Sequence, residues 1–143
     1  MGVSADWYNQ DRTIICYTFS GKWDWDEFYL RWEWVRQAMA SVDHKVAVIT
    51  DMSGTRHIPA NSMVHLRAVV LRTNPNYAGV TVMVGTGSVG PAVSAVLYKL
   101  NPAQRDKYQV LFADTLDEAE RLLNDWKQQQ KNKVNQHDDD PRH

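Results

Sequence analysis

The chain has 143 residues, with 16 Lys+Arg against 17 Asp+Glu and a single Cys. That length suits one domain, and one Cys excludes an internal disulfide framework or a multi-cysteine zinc site. A formal net charge of -1 argues against a protein that lives on nucleic acid or on an anionic membrane, since both need clustered positive charge, and no apolar run approaches the ~20 residues of a spanning helix, so membrane insertion is not expected. The first residues, Met1 to Asp6, have neither a basic region nor an apolar run, so a cytoplasmic location is expected.

Trp is heavily used, with six in the chain, five of them before residue 35. Trp7-Tyr8, a turn at Asn9-Gln10-Asp11 and the Ile-, Tyr- and Thr-rich stretch Arg12 to Ser20 read as a β-hairpin. Asp24 followed by Glu27 is a capping box opening a helix. Trp25, Phe28, Trp32, Val35, Met39 and Val42 fall on its inward stripe. Leu30 and Trp34 lie nearly opposite, as neighbours one turn apart, and form a candidate partner surface.

Val46 to Thr50 reads as a strand covered on both faces. A loop leads from Asp51 to Pro59, and a second helix runs from about Ser62 to Arg72. Its main stripe is Met63, Leu66, Val69 and Val70, with Val64 and Leu71 turned away as further candidates for a partner surface. Gly79 to Gly85 is a third buried strand. Pro91 opens a short helix ended by Asn101-Pro102, and Tyr108 to Ala113 is the next strand. Thr115 and Glu118 cap a last helix with Leu116, Ala119, Leu122, Leu123 and Trp126 on one side. The single domain spans residues 1–127. Residues 128–143 read as a polar low-complexity tail, frayed or disordered. The order is β-β-α-β-α-β-α-β-α, an α/β fold with a mostly parallel sheet of four to five strands, an N-terminal hairpin and four helices.

Gly85-Thr86-Gly87-Ser88-Val89-Gly90 matches G-x-G-x-x-G between a strand and a helix. It sits on the penultimate strand, leaving no room for a dinucleotide fold, and the helix it opens is short. What remains is a glycine turn, with Thr86, Gly87 and Ser88 as a candidate anion site at a helix N-terminus. His57 beside Arg56 has no nucleophile implied next to it and reads as a solvated loop residue. His65 reads as a surface helix residue and Cys16 as a small buried hydrophobe. No nucleophile–base pair, metal set or carboxylate dyad stands out, so neither an enzyme nor a cofactor is expected.

The element order resembles the STAS domain of anti-sigma factor antagonists and sulfate-transporter tails, and especially the SpoIIAA-like group of small cytoplasmic proteins. The likeness covers about residues 6–127. It is most specific at Val48-Ile49-Thr50-Asp51-Met52-Ser53-Gly54 with Ile58 to Ser62 after it. Gly21 to Phe28 also fits the family's strand-to-helix junction. The family carries an Asp-Ser-Ser-Gly at the start of its second helix, and the second Ser is phosphorylated. Counted without gaps from Asp51, that tetrad falls on Pro59-Ala60-Asn61-Ser62, so Asn61 stands at the phosphoacceptor position. The resemblance implies a regulatory interaction module using Asp51, Ser53, Arg56, His57, Asn61, Ser62 and the second helix against a protein partner or a second copy. The alternative is a small-molecule binder of an anion, nucleotide or lipid-like ligand, using the same strand-end loops with Thr86 and Ser88.

Overall fold

The aromatic and β-branched alternation of the first 20 residues forms a hairpin. β1 (Val3–Trp7) pairs antiparallel with β2 (Ile14–Ser20), with Val3 opposite Phe19 and Trp7 opposite Ile15. β3 (Val46–Gly54), β4 (Tyr77–Val84) and β5 (Gln109–Ala113) then add in parallel, giving one five-stranded sheet in the order β1-β2-β3-β4-β5. The structure, a computed structural model, describes residues 2–72, 74–87, 90, 91, 94, 95, 99 and 109–138. The helix expected from Pro91 to Leu100 falls largely outside them, so three helices are described: α1 (Trp25–Ala40), α2 (Ser62–Leu71) and α3 (Leu116–Asp138).

Because β2, β3 and β4 follow one another across the sheet, right-handed crossovers put α1 and α2 on one face. That face is a core of Ile15, Tyr17, Phe19, Val46, Val48, Met52 and Met83 under Phe28, Val35 and Met39 of α1, with Val69 of α2 at its margin. α3 covers the other face, where Ala119 and Leu123 pack on Ala47, Ile49, Val80, Val82 and Val84. The continuous apolar runs of β3 and β4 are thus buried from both sides, as their patterning predicts.

α1 is the best-fastened helix. Asp24 Oδ1 accepts the Glu27 N–H at 2.8 Å, the expected cap. Glu27 does not reach back to close the box. Its Oε2 accepts the Gly2 N–H at 2.9 Å, and Arg31 Nε donates to the Val3 carbonyl at 3.0 Å, strapping β1 to the helix. At the other end, Asn76 Nδ2 donates to the Met39 carbonyl in the last turn and to the Val42 carbonyl just past it, both at 2.9 Å, tying the helix exit to the start of β4.

Two expectations change. β3 continues four residues past Thr50 because Gly54 still pairs with Ser20. The chain after Lys127 is helical through Asp138 rather than frayed. Gln and Lys are good helix formers, and a helix already capped and packed by Leu116 to Trp126 propagates through them cheaply. At 23 residues α3 is about 35 Å long, whereas the five residues of β5 span about 17 Å. The polar second half of α3 therefore outruns the strand before it.

Candidate functional site

The candidate residues fall into three places at the C-terminal ends of the strands and on the helices beside them. The first is the end of β3. Asp51 Oδ1 accepts from the Ser53 hydroxyl at 2.6 Å and from the Ser53 N–H at 3.0 Å, a local turn that engages both residues with each other. Ser53 also lies against the turn after β4. A Cβ at Gly85, whose φ is +67, would stand 2.7 Å from the Ser53 Cβ. The two strand ends therefore meet, and glycine is required at position 85 for conformation and for space.

Beyond Gly85 lies an open hollow of about 430 Å³ lined by Thr86, Gly87, Gly90, Pro91, Ser94, Phe112, Ala113, Asp114 and Glu118. Thr86 and Gly87 of the expected anion site border it, and Ser88 lies outside the described residues. None of Asp51, Ser53, Arg56 or His57 lines this hollow. The lining also carries two carboxylates. Glu118 is held as a helix cap, its Oε2 accepting the Asp114 N–H at 3.0 Å while its own N–H bonds Thr115 Oγ1 at 3.1 Å. An anion entering here meets negative charge, which works against the turn's N–H groups.

The second place is the loop from Thr55 to Asn61. Two indoles hold it by its backbone: Trp23 Nε1 donates to the His57 carbonyl and Trp25 Nε1 to the Ala60 carbonyl, each at 2.9 Å. Thr55 Oγ1 donates to the Gly21 carbonyl and accepts the His57 N–H. His57 is thus half-buried and backbone-anchored, not freely solvated, while Arg56 is exposed. Asn61 occupies the N-cap position of α2 in a left-handed conformation, φ 66, and its side chain makes no cap bond. Ser62 follows as the first helical residue, half-buried.

The third place is the outer surface of the two helices. Leu30 is 72% exposed and Trp34 38% on α1, and Met63 is 46% and Val64 67% exposed on α2. Met63 therefore leaves the inner stripe assigned to it. The side chain of Leu71 lies outside the described residues. No described side chain of α2 is fully buried. The helix docks through Val69 and through His65, whose ring stacks on Trp25 with centroids 4.6 Å apart and whose Nδ1 meets the Tyr29 hydroxyl at 2.8 Å. His65 is a docking residue rather than a surface one. The two exposed patches are also separate. By the 100° helical step, Trp34 lies about 140° around α1 from Tyr29, on the flank where Glu27 and Arg31 hold β1.

The electrostatics of α2 hold a signal the overall charge conceals. From Met52 to Arg105 the sequence contains no Asp or Glu, against five Lys+Arg. Arg56, Arg67 and Arg72 are exposed, and no ion pair among the described residues engages them. A count of acids along the chain reveals this; a net charge does not.

Cys16 offers no contrasting chemistry. Burial pushes its thiol up from the ordinary 9.0, Asp51 pushes it further, and the Thr18 contact opposes only in part, so it stays protonated at neutral pH. Among the described residues no group of three His, Cys, Asp or Glu side chains is placed to hold a metal, and no helix is long and apolar enough to cross a membrane. Comparison with known proteins brings no likeness to bear: no family model matches the chain, and neither a curated protein nor a solved structure matches it.

Proposed function

We propose that the chain is a non-catalytic interaction or regulatory module of STAS-like type, with a fourth helix between β4 and β5, working in the cytoplasm through the outer face of α2. The observation that carries this reading is the state of α2: an apolar helix whose Met63 and Val64 are largely exposed and none of whose described side chains is fully buried. A helix that keeps apolar groups in water beside a well-filled core presents them to something else. The element order and the Asp51-Met52-Ser53-Gly54 strand end support the STAS-like assignment. Switching by phosphorylation at position 61 is not part of it, because Asn61 has no hydroxyl.

Selection from a random peptide library against the immobilised chain tests the proposal, with fluorescence-anisotropy titration of the survivors. Micromolar binders that weaken at least about tenfold, or about 1.4 kcal/mol, on Val64→Asp are expected. A set of survivors indifferent to Val64→Asp, or an empty selection, overturns the use of this face.

A second reading rests on the hollow between β4 and β5, whose volume lies in the range of small-molecule sites. With Asp114 and Glu118 in its wall, it suits a neutral hydroxylated or amine-bearing ligand. A thermal-shift screen of polyols and amines checks it, since saturation at 100 times Kd adds about 2.7 kcal/mol.

A further inference from the structure

We infer that the partner of the α2 face is an acidic protein segment, one presenting an apolar side chain beside Asp or Glu. This rests on the interaction reading above and adds the chemistry of the occupant. Taking Met63 as zero, the 100° step puts Val64 at about 100° and Arg67 at about 40°. The guanidinium therefore stands between the two exposed apolar groups. Arg56 in the preceding loop and Arg72 at the end of the helix are further exposed cations near α2, outside the Met63–Val64 pair itself. No side-chain hydrogen bond or ion pair engages any of the three among the described residues. On α1, Glu33 is engaged by Arg36 at 3.2 Å. No acid occurs anywhere between Met52 and Arg105 to neutralise the patch from within.

A partner that covers Met63 and Val64 also desolvates Arg67, and a buried guanidinium must be met by a carboxylate, ideally bidentate. Met and Arg are residues that interface cores favour. Three other occupants fit less well. A second copy stacking α2 on α2 about a two-fold axis brings Arg67 against its own image. A lipid surface asks for cations along the rim of an apolar stripe, with the stripe itself clear, whereas here the cation is inside the stripe. Nucleic acid gains nothing from the apolar pair.

The peptides recovered above supply the test. Each Val64-dependent binder is remade with Glu→Gln and Asp→Asn throughout and titrated against the chain and against Arg67→Ala. The expected result is a loss of about tenfold or more from either change alone and little further loss from both together, because they remove the same contact. Arg67→Glu is expected to recover binding to a version of the peptide with Lys in place of its acids. Binders that keep their affinity as amides overturn the acidic partner and leave the interaction face standing; an absence of Val64-dependent binders removes both. Co-sedimentation with phosphatidylserine vesicles that is abolished by Val64→Asp and by Arg67→Ala alike assigns the face to anionic lipid instead. Sedimentation of the free chain as a monomer is expected, and a dimer lost on Val64→Asp overturns the proposal in favour of a second copy.

Discussion

α1 and α2 lie on the same face of one sheet and meet it on different terms. α1 buries Phe28, Val35 and Met39, receives a side-chain cap from Asp24, and has its exit held by Asn76, which bonds the carbonyls of Met39 and, just past the helix, Val42. α2 is the more apolar in sequence, yet none of its described side chains is fully buried, its N-cap residue offers no side-chain bond, and its exposed charges are all positive. The contrast teaches that apolar content does not decide how deeply a helix packs. Polar fastening at the two ends does much of that work, because each orphaned N–H or C=O that finds a partner fixes the helix in place.

The largest change expected from a single substitution lies under α1. Phe28→Ala should cost about 4 kcal/mol in urea unfolding, as for other buried aromatics; a loss under 1 kcal/mol would mean that α1 is no better anchored than α2. Asn76→Ala should cost about 2 kcal/mol, since two carbonyls lose their shared donor, and faster amide exchange should be confined to the last turn of α1. His65→Ala should cost about 1 kcal/mol through the lost ring stack and the unmet Tyr29 hydroxyl. Its signature is faster exchange across α2 with α1 unchanged; equal loosening of both helices would erase the distinction between them.

Two smaller effects sharpen the comparison from outside. The raised pKa of Cys16 means that the folded chain prefers the protonated thiol. That stability is fully present below the ordinary thiol pKa and is lost as pH rises through the folded value. Unfolding free energy should therefore decline above about pH 9, and less steeply in Cys16→Ala. Val64→Asp should change stability by no more than about 0.5 kcal/mol, the usual range for an exposed site. A larger loss would show that Val64 is packed in solution.

What the sequence makes legible here is local. Asp24 with Glu27 and Thr115 with Glu118 announce helix starts because cap and helix are three residues apart. The β-branched run at Val46 and the apolar run at Val80 announce central strands because burial on both faces leaves no alternation to confuse. What stays hidden depends on distance along the chain. The capping-box spacing points Glu27 back at the Asp24 N–H, and only the fold shows that its carboxylate goes to the Gly2 N–H instead. His65 looks like any exposed helical histidine until Trp25 and Tyr29, some 40 and 36 positions earlier, come alongside. The candidate site is legible in part. Leu30, Trp34 and Val64 are exposed as their spacing predicts, but only the folded chain shows that the first two lie on a different flank from the third. The acid-free run is plain in the residues and masked by a net charge near zero.

The strand order has a consequence for how the chain is made. Because β1-β2-β3-β4-β5 is both the order in the sheet and the order along the chain, each strand joins a neighbour that has already left the ribosome. Nothing synthesised late has to slip between strands already paired. The sheet can grow outward from the hairpin during translation, with β1 as a fixed edge and a single moving edge on the other side. The moving edge passes through β3 and β4, which carry the longest runs of buried residues, before β5 and α3 arrive to cover them. A pause in synthesis after β4 should thus be the most aggregation-prone moment in the life of the molecule.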